Sequence, residues 1–122
     1  MADIRYTKTH EYLRREGATT YLGITEHAQS QLGDITFVEA PEIGAAIAAG
    51  SSCCTVESVK AVAEVYAPLP LKITGFNTRL EDSPELVNKD SQGEGWLLSI
   101  ELDNPADFDG LLDQAAYDAL EK

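Results

Sequence analysis

The stretch from Ser51 to Pro68 constrains this chain more than any other. Ser51-Ser52-Cys53-Cys54-Thr55-Val56 is small and β-prone, and Val62-Ala63-Glu64-Val65-Tyr66-Ala67 follows before Pro68 closes the run. Val, Thr and Tyr suit the pleated, half-buried surface of a strand, and proline ends one. Between the two runs lies Glu57-Ser58-Val59-Lys60-Ala61, which puts Lys60 at or near the tip of a β-hairpin. Its neighbours, Val59 and Ala61, are small and apolar, whereas a salt-bridged lysine more often has acids beside it. Most lysines are solvated surface charges. A lysine held out on a tight turn between small residues is also shaped to enter another enzyme's active site and be modified there.

The rest of the chain continues the β pattern. Arg5–Lys8, Tyr12–Arg15 and Thr19–Ile24 read as strands, with a turn at Glu16-Gly17-Ala18. Thr25 stands as an N-cap before a short helix from Glu26 to Leu32, and Gly33 ends it. Glu26 in the first turn suits the helix dipole. Asp34–Glu39 alternates and reads as a half-buried strand. Ala45–Gly50 is too short between its glycines for a stable helix and reads as extended chain with turns. Leu69–Asn77 is another strand region, Thr78–Asn88 is turn-rich and acidic, and Trp96–Leu102 is a strong strand. Asn104–Phe108 opens a helical turn. From Asp109 to Lys122, Leu111, Leu112, Ala115, Ala116, Ala119 and Leu120 recur at helical spacing, with an interruption near Gly110. Many short strands, frequent turns and small helices predict an all-β barrel or sandwich.

At 122 residues the chain reads as one domain, 1–122, large enough for a single core. No apolar run approaches the roughly 18 residues that span a membrane. Met1–Tyr6 lacks the apolar core of a signal peptide, so a cytoplasmic location is expected. The formal charge of −12, from 21 acids against 9 bases, argues against nucleic acid and anionic membranes as partners. It suits either simple solubility or steering toward partners with basic surfaces. Adjacent Cys53 and Cys54 lack the spacing of a zinc or redox motif and read as reduced strand residues, one inward and one outward. There is no nucleotide-binding glycine motif, no HExxH metal signature and no evident nucleophile set, so a free-standing catalyst is not expected. His10 and His27 read as structural.

Several runs, in order, resemble the glycine cleavage system H protein family. They are Arg5–Tyr12, Gly23–Gln29, Leu32–Ile35, Phe37–Glu39 with Pro41–Gly44, Val56–Ala61, Tyr66–Pro68, Glu85–Asn88, Gly95–Leu97 and Ala116–Leu120. The resemblance covers nearly the whole chain. It implies a mainly β fold, the lipoyl/biotinyl-type barrel-sandwich hybrid, with small peripheral helices and a C-terminal helix. It implies lipoic acid in amide linkage to Lys60, with Glu57, Ser58, Val59 and Ala61 as the surrounding recognition turn.

In that family the lipoyl arm takes an aminomethyl group from a pyridoxal-phosphate glycine decarboxylase, the P protein. It passes the group to a tetrahydrofolate-dependent aminomethyltransferase, the T protein. Dihydrolipoamide dehydrogenase, the L protein, then reoxidises the arm, and lipoylating enzymes install it beforehand. The H protein itself is not an enzyme; its cofactor carries the chemistry and the protein positions it. Family members fold the loaded arm back onto the protein, away from water. The matching patch here comprises Thr9 and Glu11, with Ile24, Ala28 and Leu32 as apolar wall and Glu64 as a further acid. No metal is implied.

One segment departs from the family pattern. After Tyr66-Ala67-Pro68 a turn glycine is usual, but this chain reads Leu69-Pro70-Leu71. Leu does not tolerate positive φ as glycine does, so the turn either takes another shape or is strained, and the added leucines form a small exposed apolar patch. The departure lends weight to a second reading, an H-like lipoyl relay that donates lipoate to other enzymes or serves another partner set. Biotin carriers flank their lysine with methionine and dehydrogenase lipoyl domains place Asp before it; Val59 and Ala61 fit neither. An unmodified interaction module is the remaining class.

Overall fold

A computed structural model describes residues 3–120. The strands are β1 (Asp3–Tyr6), β2 (Glu11–Glu16), β3 (Thr19–Ile24), β4 (Ile35–Glu39), β5 (Ala46–Ile47), β6 (Ser52–Ser58), β7 (Val62–Tyr66), β8 (Leu71–Phe76) and β9 (Leu98–Leu102). The helices are α1 (Glu26–Leu32), α2 (Arg79–Asp82), α3 (Leu86–Lys89) and α4 (Gln114–Asp118), with a 3-10 turn at Pro105–Gly110. Six strands form one sheet in the order β1-β2-β3-β9-β8-β5, and β4-β6-β7 form a second. All the pairings are antiparallel. The two sheets enclose one core rather than closing into a barrel. Leu13, Leu22, Leu71, Ile73 and Leu98 of the large sheet pack in the same cluster as Val38, Val56 and Val65 of the small one.

Strand β2 is buried on both faces, and that arrangement shapes the site. Side chains alternate along a strand, so Glu11 and Leu13 share the core face while Tyr12 points the other way. Tyr12 is covered there by a second cluster, Tyr6 and Tyr117 with Ile4, Leu112 and Leu120. Its hydroxyl donates to the Ser91 carbonyl at 2.7 Å. The C-terminal segment is laced to β1 by paired backbone hydrogen bonds between Tyr6 and Leu112. Phe108 is fully buried beneath Arg15, whose guanidinium lies 3.9 Å from the ring centroid, a cation–π contact.

Local signals read from the sequence hold where they depend on near neighbours. Thr25 caps α1, accepting from Ala28 N–H, and Gly33 ends it at φ 79°. The differences have tertiary causes. The strand expected at Arg5–Lys8 lies at Asp3–Tyr6, and the one expected from Trp96 begins at Leu98. In β4 the alternation is interrupted by a register shift between Ile35 and Phe37, so Ile35 and Val38 are buried while Phe37 is exposed. A shift between Ser52 and Cys54 does the same in β6. A bulge inserts one extra residue and re-aims its neighbours, so both cysteines are buried, not one inward and one outward. The stretch expected as turns, Thr78–Asn88, holds α2 and all but the last residue of α3, which bury Leu80 and Val87.

The C-terminal helix is shorter than expected, and positions 121–122 lie outside the described residues. Its buried residue is Tyr117; Ala115, Ala116 and Ala119 of the expected apolar stripe are exposed. Leu71 is fully buried in β8 and Leu69 packs against the core. Leu71 is also not among the positive-φ residues, so the segment carries neither the strain nor the leucine patch that its sequence suggested.

Candidate functional site: a lysine turn above a carboxylate-ended cleft

Lys60 sits on a two-residue loop between paired Ser58 and Ala61. Ser58 N–H donates to the Ala61 carbonyl at 2.8 Å. Tight hairpin loops of this length usually need positive φ, yet neither Val59 nor Lys60 has it. The Ser58 hydroxyl takes over the missing role, accepting from Lys60 N–H at 3.3 Å and from Ala61 N–H at 3.1 Å. Val59 N–H donates to the Asp34 carbonyl at 3.0 Å, which pins the turn to the junction of α1 and β4. Glu57 pairs with Val62 at the last rung before the turn. The tip is exposed, Val59 by 69% and Val62 by 67%. The Lys60 stem runs over Gly33, where an added Cβ would meet Lys60 Cε at 3.4 Å. The lysine therefore lies along the C-terminal end of α1.

Beneath it, a cleft of about 210 Å³ opens between α1, the β1–β2 loop and the β6–β7 strands. Thr9, Glu11, Ile24, Ala28, Leu32 and Glu64 all line it. The family resemblance named these six from different segments, and all six line this one cleft. Glu11 is the polar end of the cleft. It is only 4% exposed. Its Oε1 accepts from Thr7 Oγ1 at 2.7 Å and from Thr9 Oγ1. Thr7 Oγ1 also accepts from the Glu11 backbone N–H at 3.1 Å, which locks the loop around the carboxylate. Glu64 is exposed at the rim, with Tyr66 Oη donating to it at 3.4 Å.

His10 and His27 also line the cleft, a role their sequence did not suggest. Their rings lie 4.5 Å apart. His10 holds φ 70°, the left-handed region that is uncommon for a residue with a Cβ. The available signal was position alone: His10 lies between Thr9 and Glu11, and His27 precedes Ala28. Cys53 lies close enough to Glu11 for its thiol to feel the charge. Burial first, then the Glu11 carboxylate, push that thiol up to about 12. Burial and then Cys53 push Cys54 up to about 12 as well. Both thiols are therefore protonated and inert at neutral pH.

An exposed lysine on a hydrogen-bonded turn thus stands near a mostly apolar cleft with a buried carboxylate in its lining. The glycine cleavage H-protein family model matches residues 4–122. The chain belongs to the glycine cleavage H-protein family. The glycine cleavage system H protein of Symbiobacterium thermophilum is 52% identical over 121 residues, covering 99% of this chain and 94% of that protein. The one from Klebsiella pneumoniae is 50% identical over 120 residues, covering 98% and 93%. The crystal structure of a glycine cleavage system H protein from Mycobacterium marinum superposes with a TM-score of 0.79 at 35% identity, covering 94% of this chain and 93% of that one. Membership of the H-protein family carries its role, that of a lipoyl carrier in the glycine cleavage system and not of a catalyst. Among the described residues no helix is long and apolar enough to cross a membrane.

Proposed function

We propose that Lys60 is the residue that carries lipoic acid, in amide linkage, and that the cleft beneath it receives the loaded arm. The observation that carries this reading is the juxtaposition of the exposed Lys60 turn with a cleft ending on buried Glu11. When attached, the lipoyl group supplies a dithiolane that accepts an aminomethyl group and two electrons. This chain's residues do the rest. Ser58 shapes the turn so that Val59 and Ala61 leave the lysine unobstructed, and Glu57 anchors the last rung. Ile24, Ala28 and Leu32 exclude water from the cleft. Glu11 faces a cationic amine and holds it by a charge-assisted hydrogen bond, while Thr7 and Thr9 fix the carboxylate.

Tethering keeps the arm at high effective concentration for each partner. Those partners are the glycine decarboxylase, the aminomethyltransferase, dihydrolipoamide dehydrogenase and the lipoylating enzymes. The protein acts as one carrier domain over 1–122 in the cytoplasm. The relay reading rested on Leu69-Pro70-Leu71, and buried Leu71 with ordinary backbone removes that support.

Intact mass after exposure to lipoate and a lipoylating enzyme, followed by peptide mapping, tests the attachment point. One lipoyl increment on the Lys60 peptide is expected, and a bare Lys60 beside a modified control domain rejects it. Glu11→Ala tests the cleft. It leaves lipoylation intact and speeds loss of the carried group to water about tenfold, the scale of a hydrogen bond to a charged group. An unchanged rate rejects that role.

A further inference from the structure

The cleft has two walls that meet near Thr25. One is the β1–β2 loop, which carries Thr9 and His10; the other is α1, which carries His27, Ala28 and Leu32. Both are tied to Tyr117 of α4, which is 4% exposed and lies outside the cleft lining. Tyr117 Oη donates to Thr25 Oγ1 at 2.8 Å, on the residue that caps α1. The same oxygen lies 2.7 Å from His10 Nδ1. Tyr117 Oη therefore contacts both the α1 cap and the His10 ring, and which partner donates in the His10 contact follows the imidazole tautomer. The His10 carbonyl accepts from Thr25 N–H at 3.0 Å, closing a ring of contacts around the junction of the two walls. Tyr117 is itself held by a parallel stack on Tyr6, with centroids 4.5 Å apart and planes 13° apart.

We infer that Tyr117 is a positioning residue for the arm cleft: its hydroxyl sets the His10 ring and locks the β1–β2 loop to the α1 cap. The C-terminal helix is then a working part of the site, although none of its residues lines the cleft. Three features favour this over simple packing. The hydroxyl bridges two different elements rather than one. His10 is held at a positive φ it would not adopt freely. The His10 ring packs against both Tyr117, edge-on at 5.6 Å, and His27 inside the cleft. Losing the hydroxyl removes the bridge and leaves the apolar stack on Tyr6 in place. The inference rests on the reading that the loaded arm seats in this cleft.

The test uses the full-length lipoylated chain, with Tyr117→Phe, His10→Asn, their double variant and Glu11→Ala. Asparagine tolerates the left-handed backbone, so His10→Asn removes the ring without forcing the loop. Two quantities are read. The first is the pair of His10 ring nitrogen-15 shifts, which report the Nδ1 hydrogen bond and need no loaded arm. The second is the lifetime of the aminomethylated form, which water converts to formaldehyde, ammonium and the free thiol.

Tyr117→Phe is expected to shift the His10 ring nitrogen signals, because the 2.7 Å partner at Nδ1 is gone. It also shortens the lifetime about fivefold, the scale of one neutral hydrogen bond. His10→Asn has a similar effect, and the double variant is no worse than either. A normal lifetime for Tyr117→Phe beside a shortened one for Glu11→Ala overturns the positioning role and leaves the cleft reading standing. Normal lifetimes for both reject the cleft reading and this inference with it. Multiplying effects in the double variant show that Tyr117 does not act through His10, which also overturns it. If Tyr117→Phe fails to fold, a normal lifetime for His10→Asn serves as the overturning result.

Discussion

Within the Ser58–Ala61 loop, the side-chain hydrogen bonds join residues no more than three apart, all through Ser58. Around the cleft, those on Glu11 are also local, within four positions, but those behind its walls reach across the chain: Tyr117 to Thr25 spans 92 positions and His10 to Tyr117 spans 107. The loop is tied outward by a backbone bond from Val59 to Asp34 and, at its base, by Thr36 to the Glu57 carbonyl. The cleft needs α1, the β1–β2 loop, the β6–β7 strands and the C-terminal helix to arrive together. The difference suits their tasks. A presented lysine must be reachable and stiff, and a local turn gives both. A seat that excludes water must be enclosed, and enclosure requires distant elements.

The sharpest way to separate the two regions is Lys60→Arg. Lipoylation is abolished while stability stays within about 0.5 kcal/mol, as for an exposed substitution away from packing; intact mass and urea unfolding check both. Leu22→Ala does the reverse. Leu22 is fully buried between the sheets, so the variant loses about 3 kcal/mol and is still lipoylated at 25 °C, because the turn is local. Loss of lipoylation in a folded Leu22→Ala protein would break the claim that the turn stands alone.

Gly33→Ala probes the seam between the regions. Gly33 has φ 79° and ψ −157°, a conformation almost reserved for glycine. A Cβ there would meet the Lys60 stem only at ordinary contact distance, so the backbone sets the cost. Destabilisation of about 2 kcal/mol follows, read by urea unfolding. The smallest effect concerns the core side of the cleft. Cys53 and Cys54 have thiols raised from 9.0 to about 12. The folded state holds these protons more tightly than the unfolded chain. Their contribution is therefore complete below about pH 9 and is lost as pH rises toward 12. Moving from pH 8 to pH 10 lowers stability by about 1 kcal/mol per thiol. A double Cys→Ala variant flattens that slope, and the native thiols resist alkylation at pH 8.

How much could be read beforehand follows the same division. The hairpin, the Thr25 cap and the Gly33 stop are signals among near neighbours, and they hold. The resemblance supplied Thr9, Glu11, Ile24, Ala28, Leu32 and Glu64, and the fold gathers them into one cleft. The positions of Phe37, Cys53 and Cys54 were not legible, because two bulges shift which residues face the core. A bulge is fixed by how sheets pack, and strict alternation does not foresee it. The helices α2 and α3 were missed because each is four residues long. Helices that short have no stability of their own and exist by burying Leu80 and Val87 against the core.

The residues alone determined an acidic, mainly β chain with a lysine offered on a hairpin. Those properties depend on composition and on neighbours within a few positions. Only the tertiary structure decided that Glu11 is buried, that a bulge in β6 leaves both cysteines buried, and that Tyr117 holds two cleft walls together. Each of those requires groups far apart in the chain to meet, and the energy that joins them exists only once the sheets have packed.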